Sequence, residues 1–391
     1  SSNGLEKRPK LRFPGFYEPW KVFKAEELFQ NITDKNHPDE TVLTIIQGKG
    51  TLPREQAGRN IHYDDASLSN YKRVEQGDFI IHLRSFEGGL EMANEAGIVS
   101  PAYTILRCKR PHASLFYDAY FHTDEFINHN LSKSVEGIRD GRQISYEAFK
   151  WLGIPYCEPT EQEKISSLFS VLNERITKQR DLIESLKKYK RGVMRAIFRD
   201  KSFVFSKATV WKSIRLGDEC VFFSGGTPKS TDSSYYGGSI PFIRSGEIHG
   251  EKTELFLTEA GLQNSSAKMV SKGDLLIALY GATSGEVDIS KIDGAINQAI
   301  LCIRPYDMSK QYLRYLLEDS KDDIINTYLQ GGQGNLSAEI IKNLRVDIPD
   351  STAQSSVVEF LSMIERRIEM SIAECEQIQA MKRSSLQQLF I

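Results

Sequence analysis

Residues 144–198 read ISYEAFKWLGIPYCEPTEQEKISSLFSVLNERITKQRDLIESLKKYKRGVMRAIF, and residues 336–390 repeat this pattern at a constant offset of 192 positions. An internal repeat of this length indicates two copies of one structural module in tandem. The offset does not drift within the stretch. A long packed helix has this property, because one extra residue rotates its apolar stripe by about 100°. The matching positions include Ile144-Ser145 and Leu336-Ser337, Gln162 and Gln354, Lys190-Arg191 and Lys382-Arg383, and Phe198 and Phe390.

The repeat continues upstream with small changes of register. Gly77-Asp78 corresponds to Gly273-Asp274, and in both copies an apolar run follows, which is a turn-plus-strand signal. Trp20 corresponds in the same way to Trp211. Shifting offsets are typical of surface loops, which accept insertions. We therefore expect a small mixed α+β module over residues 20–157 and a second over 211–350.

Each copy ends in a stretch with the periodicity of a long helix. Residues 160–198 contain no proline, and Thr160 followed by Glu163 resembles a capping box at the start. Apolar residues recur at spacings of three and four, which predicts a coiled-coil seam interrupted by Gln179 and Lys190. Each helix would be about 55–60 Å long at 1.5 Å per residue. The predicted helix–helix seam consists of Phe169, Leu172, Ile176, Ile183, Leu186, Leu361, Ile364, Ile368 and Ile378.

The simplest way to bury both apolar stripes is to pack the two helices against each other. The pattern alone allows a parallel or an antiparallel pair. We favour the antiparallel pair, because it buries equivalent surfaces equivalently and would place one globular module at each end. Long paired helices most often serve as spacers, and a spacer that holds two modules apart is compatible with a binding function.

Composition limits the class of protein. The chain has 391 residues, of which 40% are hydrophobic and 26% charged, so it suggests two or three globular domains. No run of eighteen apolar residues occurs, and the start, Ser1 to Gly4, has neither a methionine nor an apolar segment, so we expect a processing remnant and no signal peptide. Five scattered cysteines predict reduced thiols in a cytoplasmic protein, and seven histidines without metal-ligand spacing predict no metal site.

Polar and basic residues in the predicted loops are candidates for nucleic-acid contacts, although the net charge is −2. Arg, Lys, Gln, Ser and Thr are the side chains that reach base edges and phosphates, while any one of them is more often a solvated surface residue. In the first module the DNA-binding candidates are Lys49, Arg54, Arg59, His82, Arg84, Ser85, Arg139 and Arg142. In the second they are Thr227, Lys229, Ser230, Arg244, Ser245, Tyr280, Thr283 and Gln333.

The sequence contains no convincing catalytic motif. The stretch Ser224 to Ser230 resembles a phosphate loop, but its spacing fails the pattern, and Pro228 removes an N–H that phosphates would need. We interpret it as a glycine-rich turn. The tetrapeptide of amino-methyltransferases is absent, and no Ser-His-Asp or Cys-His pairing is indicated. We expect no catalytic residues in this chain.

With the repeat and the paired helices established, the chain resembles the specificity subunit of type I restriction-modification systems. The resemblance covers nearly the whole chain, and its specificity lies in the order of individually weak motifs within a twofold repeat. One departure is that Pro155-Tyr156-Cys157 stands where the second copy has Ile348-Pro349. The motifs are Leu11-Arg12-Phe13-Pro14-Gly15-Phe16, Phe223-Ser224-Gly225-Gly226-Thr227-Pro228, and Leu336-Ser337 followed by Ile341-Lys342, Leu344, Val346 and Ile348-Pro349.

The resemblance implies an α+β fold with two target-recognition domains in tandem repeat, separated by two long helices that form an antiparallel coiled coil. It predicts recognition domains at 1–157 and 202–350 and helical regions at 158–201 and 351–391. Each recognition domain would read one half of a bipartite, asymmetric double-stranded DNA site. The helices would set the half-site spacing and dock the methyltransferase subunits, of which two are expected. Restriction subunits would join that core.

No cofactor is expected on this chain itself, since S-adenosylmethionine, ATP and Mg would lie on partner subunits. Two alternatives remain. A coiled-coil scaffold with globular ends could bind protein partners, and its binding would lack the steep salt dependence of phosphate contacts. An enzyme could use the turn 225–230 for a nucleotide, which binding by the isolated chain would reveal.

Overall fold

The computed structural model of the chain describes residues 9–57, 65–136, 143–201, 209–329 and 336–390. The chain divides into two compact units, Ser1–Asp181 with Ile372–Ile391, and Leu182–Ser371. Arg59, Arg139, Arg142 and Gln333 lie outside the described residues. Among the described residues, no helix combines the length and the apolar character that crossing a membrane requires.

The first unit is built from short strands and helices that precede a long helix. Its strands are β1 (Lys21–Lys24), β2 (Phe29–Ile32), β3 (Leu43–Ile46), β4 (Gly50–Pro53), β5 (Lys72–Val74), β6 (Phe79–Ile81), β7 (Glu91–Met92), β8 (Gly97–Val99), β9 (Thr104–Cys108), β10 (Val135–Glu136), β11 (Gln143–Ile144) and β12 (Gly153–Tyr156). Its helices are α1 (Ala25–Leu28), α2 (Ser85–Gly88), α3 (Ser114–Phe121) and α4 (Tyr146–Phe149), followed by α5 (Pro159–Phe198), which continues into the second unit.

The second unit repeats this plan and ends in the other long helix. Its strands are β13 (Trp211–Arg215), β14 (Cys220–Ser224), β15 (Tyr236–Ile243), β16 (Leu255–Leu257), β17 (Lys268–Val270), β18 (Leu275–Ala278), β19 (Val287–Ile289), β20 (Gly294–Ile296), β21 (Ile300–Pro305) and β22 (Arg345–Pro349). Its helices are α6 (Leu216–Glu219), α7 (Glu259–Gln263), α8 (Lys310–Leu329), α9 (Ala338–Asn343) and α10 (Ser351–Leu389), of which α10 continues into the first unit.

The two units share one sheet topology. An antiparallel four-stranded sheet has the order β2-β9-β6-β7 in the first unit and β14-β21-β18-β19 in the second. A separate antiparallel pair joins β1 to β12 and, equivalently, β13 to β22. The second unit adds a mixed sheet, β16-β15-β20-β17, in which β15 and β20 run parallel. The prediction of two mixed α+β modules in tandem is confirmed.

The repeated Gly-Asp motif directly precedes one of the two inner strands of each antiparallel four-stranded sheet, β6 in the first unit and β18 in the second. Gly77 and Gly273 have φ values of +89° and +92°, which only glycine adopts without strain. The following Asp78 accepts a hydrogen bond from the N–H of Glu75 (2.8 Å) and a forked ion pair from Arg107. Asp274 does the same with the N–H of Ser271 and with Arg304.

A repeated glutamine ties each long helix to its own unit. The side chain of Gln162 accepts from the N–H of Ala113 (3.1 Å) and donates to the carbonyl of Cys157 (2.8 Å). Gln354 accepts from Ser309 and donates to Pro349, both at 3.0 Å. Because each side chain is buried and bonded at both ends, it fixes the angle at which the helix leaves the sheet.

The long helices run antiparallel, as contacts inside each unit show. In the first unit Gln179 donates to Glu374 (3.2 Å), and in the second Lys190 donates to Glu365 (2.7 Å). As the residue number rises along α5, that of its neighbour in α10 falls. The antiparallel pairing is therefore confirmed. Among the predicted seam residues Leu186 is partly buried. The other eight are buried: Phe169, Leu172, Ile176, Ile183, Leu361, Ile364, Ile368 and Ile378.

The start of α5 differs from the prediction. The helix begins at Pro159, and the carbonyl of Glu158 accepts from the N–H groups of Glu161 and Gln162. A capping box at Thr160 is therefore wrong, because Thr160 already lies inside the first turn. Proline suits the first helical position, since its fixed φ is helical and its missing N–H would have had no intrahelical partner.

The N-terminal motif of the sequence clamps this helix start within the first unit. Arg12 forms a forked ion pair with the buried carboxylate of Glu161 (2.7 and 2.9 Å), and the Trp20 ring N–H donates to the same carboxylate (3.1 Å). The N–H of Leu11 donates to the carbonyl of Gln388 near the end of α10 (2.9 Å). The motif thus has a structural role.

Candidate nucleic-acid interface

In the second unit, the register of the strands gathers several candidate loops at one edge. Strands β14 and β18 both pair antiparallel with β21, so their last residues, Ser224 and Ala278, lie beside the start of β21. Strand β15 ends at Ile243, whose carbonyl accepts from the N–H of Asn297, in the turn between β20 and β21. The loops that follow these strands therefore converge, and they carry Thr227, Lys229, Ser230, Arg244, Ser245, Tyr280 and Thr283.

The loop after β14 is shaped by close backbone contact. A Cβ on Gly225 would lie 1.7 Å from the carbonyl oxygen of Ile296, and one on Gly226 would lie 1.9 Å from the Ser266 hydroxyl. The two glycines are thus required by packing, which supports the interpretation of a glycine-rich turn. Beyond them the Thr227 hydroxyl donates to Gln298 (2.6 Å), and Lys229 is exposed. Ser230, the next residue, is exposed as well.

Arg244 is engaged by two carboxylates of its own unit. Its guanidinium donates to both oxygens of Glu247 (3.0 and 3.1 Å) and to Glu254 (2.5 Å). These hydrogen bonds raise the pKa of Arg244 above its usual value. The charge is locally matched, and the arginine holds the segment from Ser245 to Glu254 in place. In this conformation Arg244 orders the loop, and Ser245 is half-buried in a short 3-10 turn.

Tyr280 follows β18 and is presented at the same edge. Its side chain is 36% exposed, and Gly281 behind it has φ +79°, so the chain turns sharply there. Thr283 is half-buried in the 3-10 turn that results. An exposed tyrosine offers a ring face and a hydroxyl, both of which suit contact with nucleic-acid bases and phosphates.

The equivalent loop of the first unit follows β6 and carries Arg84 at the position that Tyr280 occupies in the repeat. Ser85 is fully buried, and its hydroxyl accepts from the N–H of His82 (2.9 Å). Burial lowers the pKa of His82, and its buried Nε2 has no hydrogen-bond partner in the described part of the chain. Arg84 itself points outward, with 73% of its side chain exposed and Glu87 at 3.6 Å. Ser85 shapes the loop, whereas Arg84 is available for contact.

Lys49 lies in another place, in the tight turn between β3 and β4. The buried carboxylate of Glu91 accepts from the N–H groups of Gly48 (2.7 Å) and Gly50 (2.9 Å), and the Asn94 amide donates to the carbonyl of Lys49 (2.7 Å). Both glycines have positive φ, at +72° and +77°. The turn is therefore held rigidly, while the Lys49 side chain is exposed.

Glu91 also binds His122, and each of the two groups shifts the pKa of the other. The distance from His122 Nε2 to Glu91 is 3.3 Å. Burial would lower the pKa of His122, but Glu91 and Asp118 outweigh it and raise it to about 8. Burial would likewise raise the pKa of Glu91, and the bonds from His122 and from the turn hold it below its usual value. The charged pair therefore anchors the turn.

Arg54 begins a 3-10 turn directly after β4 and is half-buried. Two other basic residues of the first unit, Lys72 and Arg73, are bound to groups of the same unit. The Lys72 ammonium donates to the carbonyl of Tyr103 (2.6 Å), and Arg73 pairs with Glu40 (2.7 Å). Residue type alone does not distinguish basic side chains that are bound within the fold from those that are exposed.

Reasoning from the sequence also missed the residues that position the loops. Glu91, Asn94 and Glu247 were not singled out, although each holds a loop that bears a candidate residue. A usable signal was Gly48-Lys49-Gly50, since two glycines around a polar residue are typical of a tight turn that displays its central side chain. In the described part of the chain, no group of His, Cys, Asp or Glu is arranged to hold a metal ion.

Comparison with known proteins places these features in a family. Residues 209–380 match the family model for the type I restriction modification DNA specificity domain. The chain is 23% identical over 397 residues to the type I restriction enzyme MjaVIII specificity subunit of Methanocaldococcus jannaschii, covering 95% of this chain and 92% of that protein. The chain therefore carries a type I restriction modification DNA specificity domain in its second half, and it is similar to a type I specificity subunit over nearly its whole length.

Other specificity subunits match less completely or only in fold. The putative type I restriction enzyme MjaX specificity subunit of the same organism is 25% identical over 255 residues, which is 61% of this chain and 59% of that relative, less than two thirds of its length. The type I restriction-modification S subunit of M. genitalium has a TM-score of 0.59 at 16% identity, with 98% of this chain and 99% of that chain covered. The HsdS subunit of Thermoanaerobacter tengcongensis has a TM-score of 0.51 at 17% sequence identity, and the match covers 100% of this chain and 99% of that chain.

Proposed function

We propose that this chain gives a type I restriction-modification complex its DNA sequence specificity. The first recognition domain (1–157) and the second (202–350) each bind one half of a bipartite, asymmetric site in double-stranded DNA. The observation that carries this proposal is the repeated loop edge. Two units of one sheet topology present different exposed side chains, Arg84 and Tyr280, at equivalent positions. One scaffold with two different reading edges suits a site whose halves differ in sequence.

The long helices (158–201 and 351–391) set the spacing between the half-sites and dock the methyltransferase subunits. Paired antiparallel helices suit a spacer, because their length is fixed by the residue count. Two methyltransferase subunits, one for each repeat, and further restriction subunits complete the assembly. The chain contributes recognition and no catalytic step of its own. Its five cysteines form no disulfide, which fits a reducing cytoplasm.

The test uses the complex of this chain with its methyltransferase subunits and duplexes that carry one altered half-site. Arg84→Ala should weaken binding to an intact first half by about tenfold or more, because a good base contact contributes about 1–3 kcal/mol of discrimination. Tyr280→Ala should act on the other half only. Lys272→Ala removes an exposed cation before β18, at the opposite end of that strand from Tyr280, and as the control should leave both halves unchanged.

Salt dependence separates this proposal from a protein-binding scaffold. Phosphate contacts make the logarithm of the binding constant fall steeply with the logarithm of the salt concentration. A flat salt dependence, or equal losses at both halves from either substitution, would contradict recognition by two independent domains.

A further inference from the structure

Each unit contains a cavity between its segments of the two long helices and the helix that follows its antiparallel four-stranded sheet. In the first unit it measures about 800 Å³ and lies against α3, and in the second it measures about 460 Å³ and lies against α8. Nine of the eleven residues that line the second cavity have their repeat counterparts in the lining of the first. The two cavities are therefore two copies of one feature, and their differences can be compared position by position.

The cavity of the second unit neutralises its half-buried lysine with carboxylates of the same unit. Lys190 is only 12% exposed and donates to Glu365 (2.7 Å) and Glu318 (2.6 Å). Arg314 pairs with the same two carboxylates, and the Tyr315 hydroxyl donates to Glu365 (2.6 Å). A half-buried lysine is stable here because carboxylates of the same unit neutralise it.

The cavity of the first unit lacks this compensation. Lys382, the counterpart of Lys190, is half-buried and makes no hydrogen bond or ion pair within the residues described. The position of Glu365 is occupied by Asn173, and that of Glu318 by His122. The nearby Asp118 is turned to His122, at 3.7 Å. Burial lowers the pKa of Lys382, and Asp118 opposes this shift only in part.

The surroundings of Lys382 favour a carboxylate as the missing partner. Arg180 and Arg383 also line the cavity, and neither makes an ion pair within the described residues. A phosphate dianion would be repelled by Asp118 more strongly than a single carboxylate, and carboxylates are the groups that satisfy Lys190 at the equivalent place. Leu115 and Ile176 add apolar wall, which suits the stem of an acidic side chain.

We propose that the cavity of the first unit receives an acidic side chain of a partner protein, whose carboxylate pairs with Lys382. This inference rests on the proposed assembly with methyltransferase subunits. It adds that the two docking faces differ, because the second unit supplies the carboxylate itself and the first unit takes it from the partner. Assembly at the first unit is therefore the salt-sensitive step.

The experiment measures the affinity of the full chain for its purified methyltransferase subunit by calorimetry, at low and at physiological salt. Asn173→Glu supplies the carboxylate from within, as Glu365 does in the second unit, so it should raise the melting temperature of the free chain and weaken partner binding about tenfold. Lys382→Gln should weaken binding by a similar factor through loss of the cation. Lys21→Gln removes an exposed cation of the first unit that does not line the cavity, and it should bind the methyltransferase subunit as the wild type does.

Three results bear on the inference in different ways. Partner affinities of Asn173→Glu and Lys382→Gln within twofold of the wild type would overturn it. Loss of affinity for a DNA duplex, with partner binding unchanged, would also overturn it and would identify the ligand as phosphate. Failure of the wild-type chain to bind the methyltransferase subunit at all would instead contradict the proposed function.

Discussion

Removing the charge of Glu365 should destabilise the second unit measurably. This carboxylate accepts two hydrogen bonds from Arg314 at 2.6 Å, one from Lys190 at 2.7 Å and one from the Tyr315 hydroxyl at 2.6 Å. Glu365→Gln keeps the shape of the side chain and leaves two cations with less compensation. The substitution therefore isolates the electrostatic contribution of one group.

The expected magnitude follows from burial and from the remaining partner. Removing one member of a fully buried ion pair costs about 3–5 kcal/mol. The Glu365 side chain is 26% exposed, and Glu318 still reaches both cations, at 2.6 and 3.3 Å. We therefore expect a loss of about 2 kcal/mol in the free energy of unfolding. In a unit of this size, that loss lowers the melting temperature by about 4–8 °C.

The effect should also depend on pH. Burial alone would raise the pKa of Glu365, but Arg314 and Lys190 outweigh it and hold the pKa below its usual value. A carboxylate with a lowered folded-state pKa stabilises the protein above its unfolded-state pKa, near 4.3, and loses that contribution as the pH falls further. The difference between wild type and Glu365→Gln should therefore narrow below about pH 4.

The assay is chemical unfolding of the full chain followed by circular dichroism, with Glu369→Gln as the control. Glu369 lies one turn along the same helix, is exposed and makes no ion pair within the described residues. A double-mutant cycle with Lys190→Gln measures the coupling directly. Equal stability of Glu365→Gln and Glu369→Gln, or no measurable coupling to Lys190, would refute the reasoning.

Two further predictions concern the loops. Glu91→Gln should speed hydrogen exchange at the amides of Gly48 and Gly50, because these amides lose their charged acceptor. The substitution Glu87→Gln, at an exposed position, should leave the exchange unchanged. Unchanged protection in Glu91→Gln would show that Glu91 does not hold the turn. Protonated His122 stabilises the fold fully below its unfolded-state pKa of 6.5, and this stabilisation is lost as the pH rises through its folded-state pKa of about 8. The free energy of unfolding of the wild type should therefore fall by about 2 kcal/mol over that range, and that of His122→Gln should not. A pH-independent stability of the wild type would contradict the charged pair.

The sequence predicted the architecture because the repeat and the helical periodicity depend on residue type alone. Gly77-Asp78 and Gly273-Asp274 could be recognised as strand starts, since their turn requires glycine at positive φ. The start of α5 was misplaced, because Thr160 and Pro159 both favour a helix N-terminus and the pattern does not decide between them. When two local signals are equally strong, tertiary contacts decide where the helix begins. Here these are the contacts of Arg12 and Trp20 with Glu161.

The candidate site was less predictable, because exposure and pairing are properties of the folded chain. Arg84 and Arg244 look alike in sequence, yet Arg84 is exposed and Arg244 is held by two glutamates ten residues or fewer away. Ser85 was proposed for its hydroxyl, which proves to be buried in a hydrogen bond with the backbone. Choosing among polar loop residues requires the partners that tertiary structure brings to them.

The central proposal is that two separate domains of this chain read two separate half-sites of DNA. Mapping of methylated sites in the genome of a host that carries the intact complex tests it most directly. We expect one bipartite, asymmetric motif with a fixed gap, and we expect Arg84→Ala to relax one half of it while the other half and the gap stay unchanged. A single uninterrupted motif, or relaxation of both halves by that one substitution, would contradict the proposal.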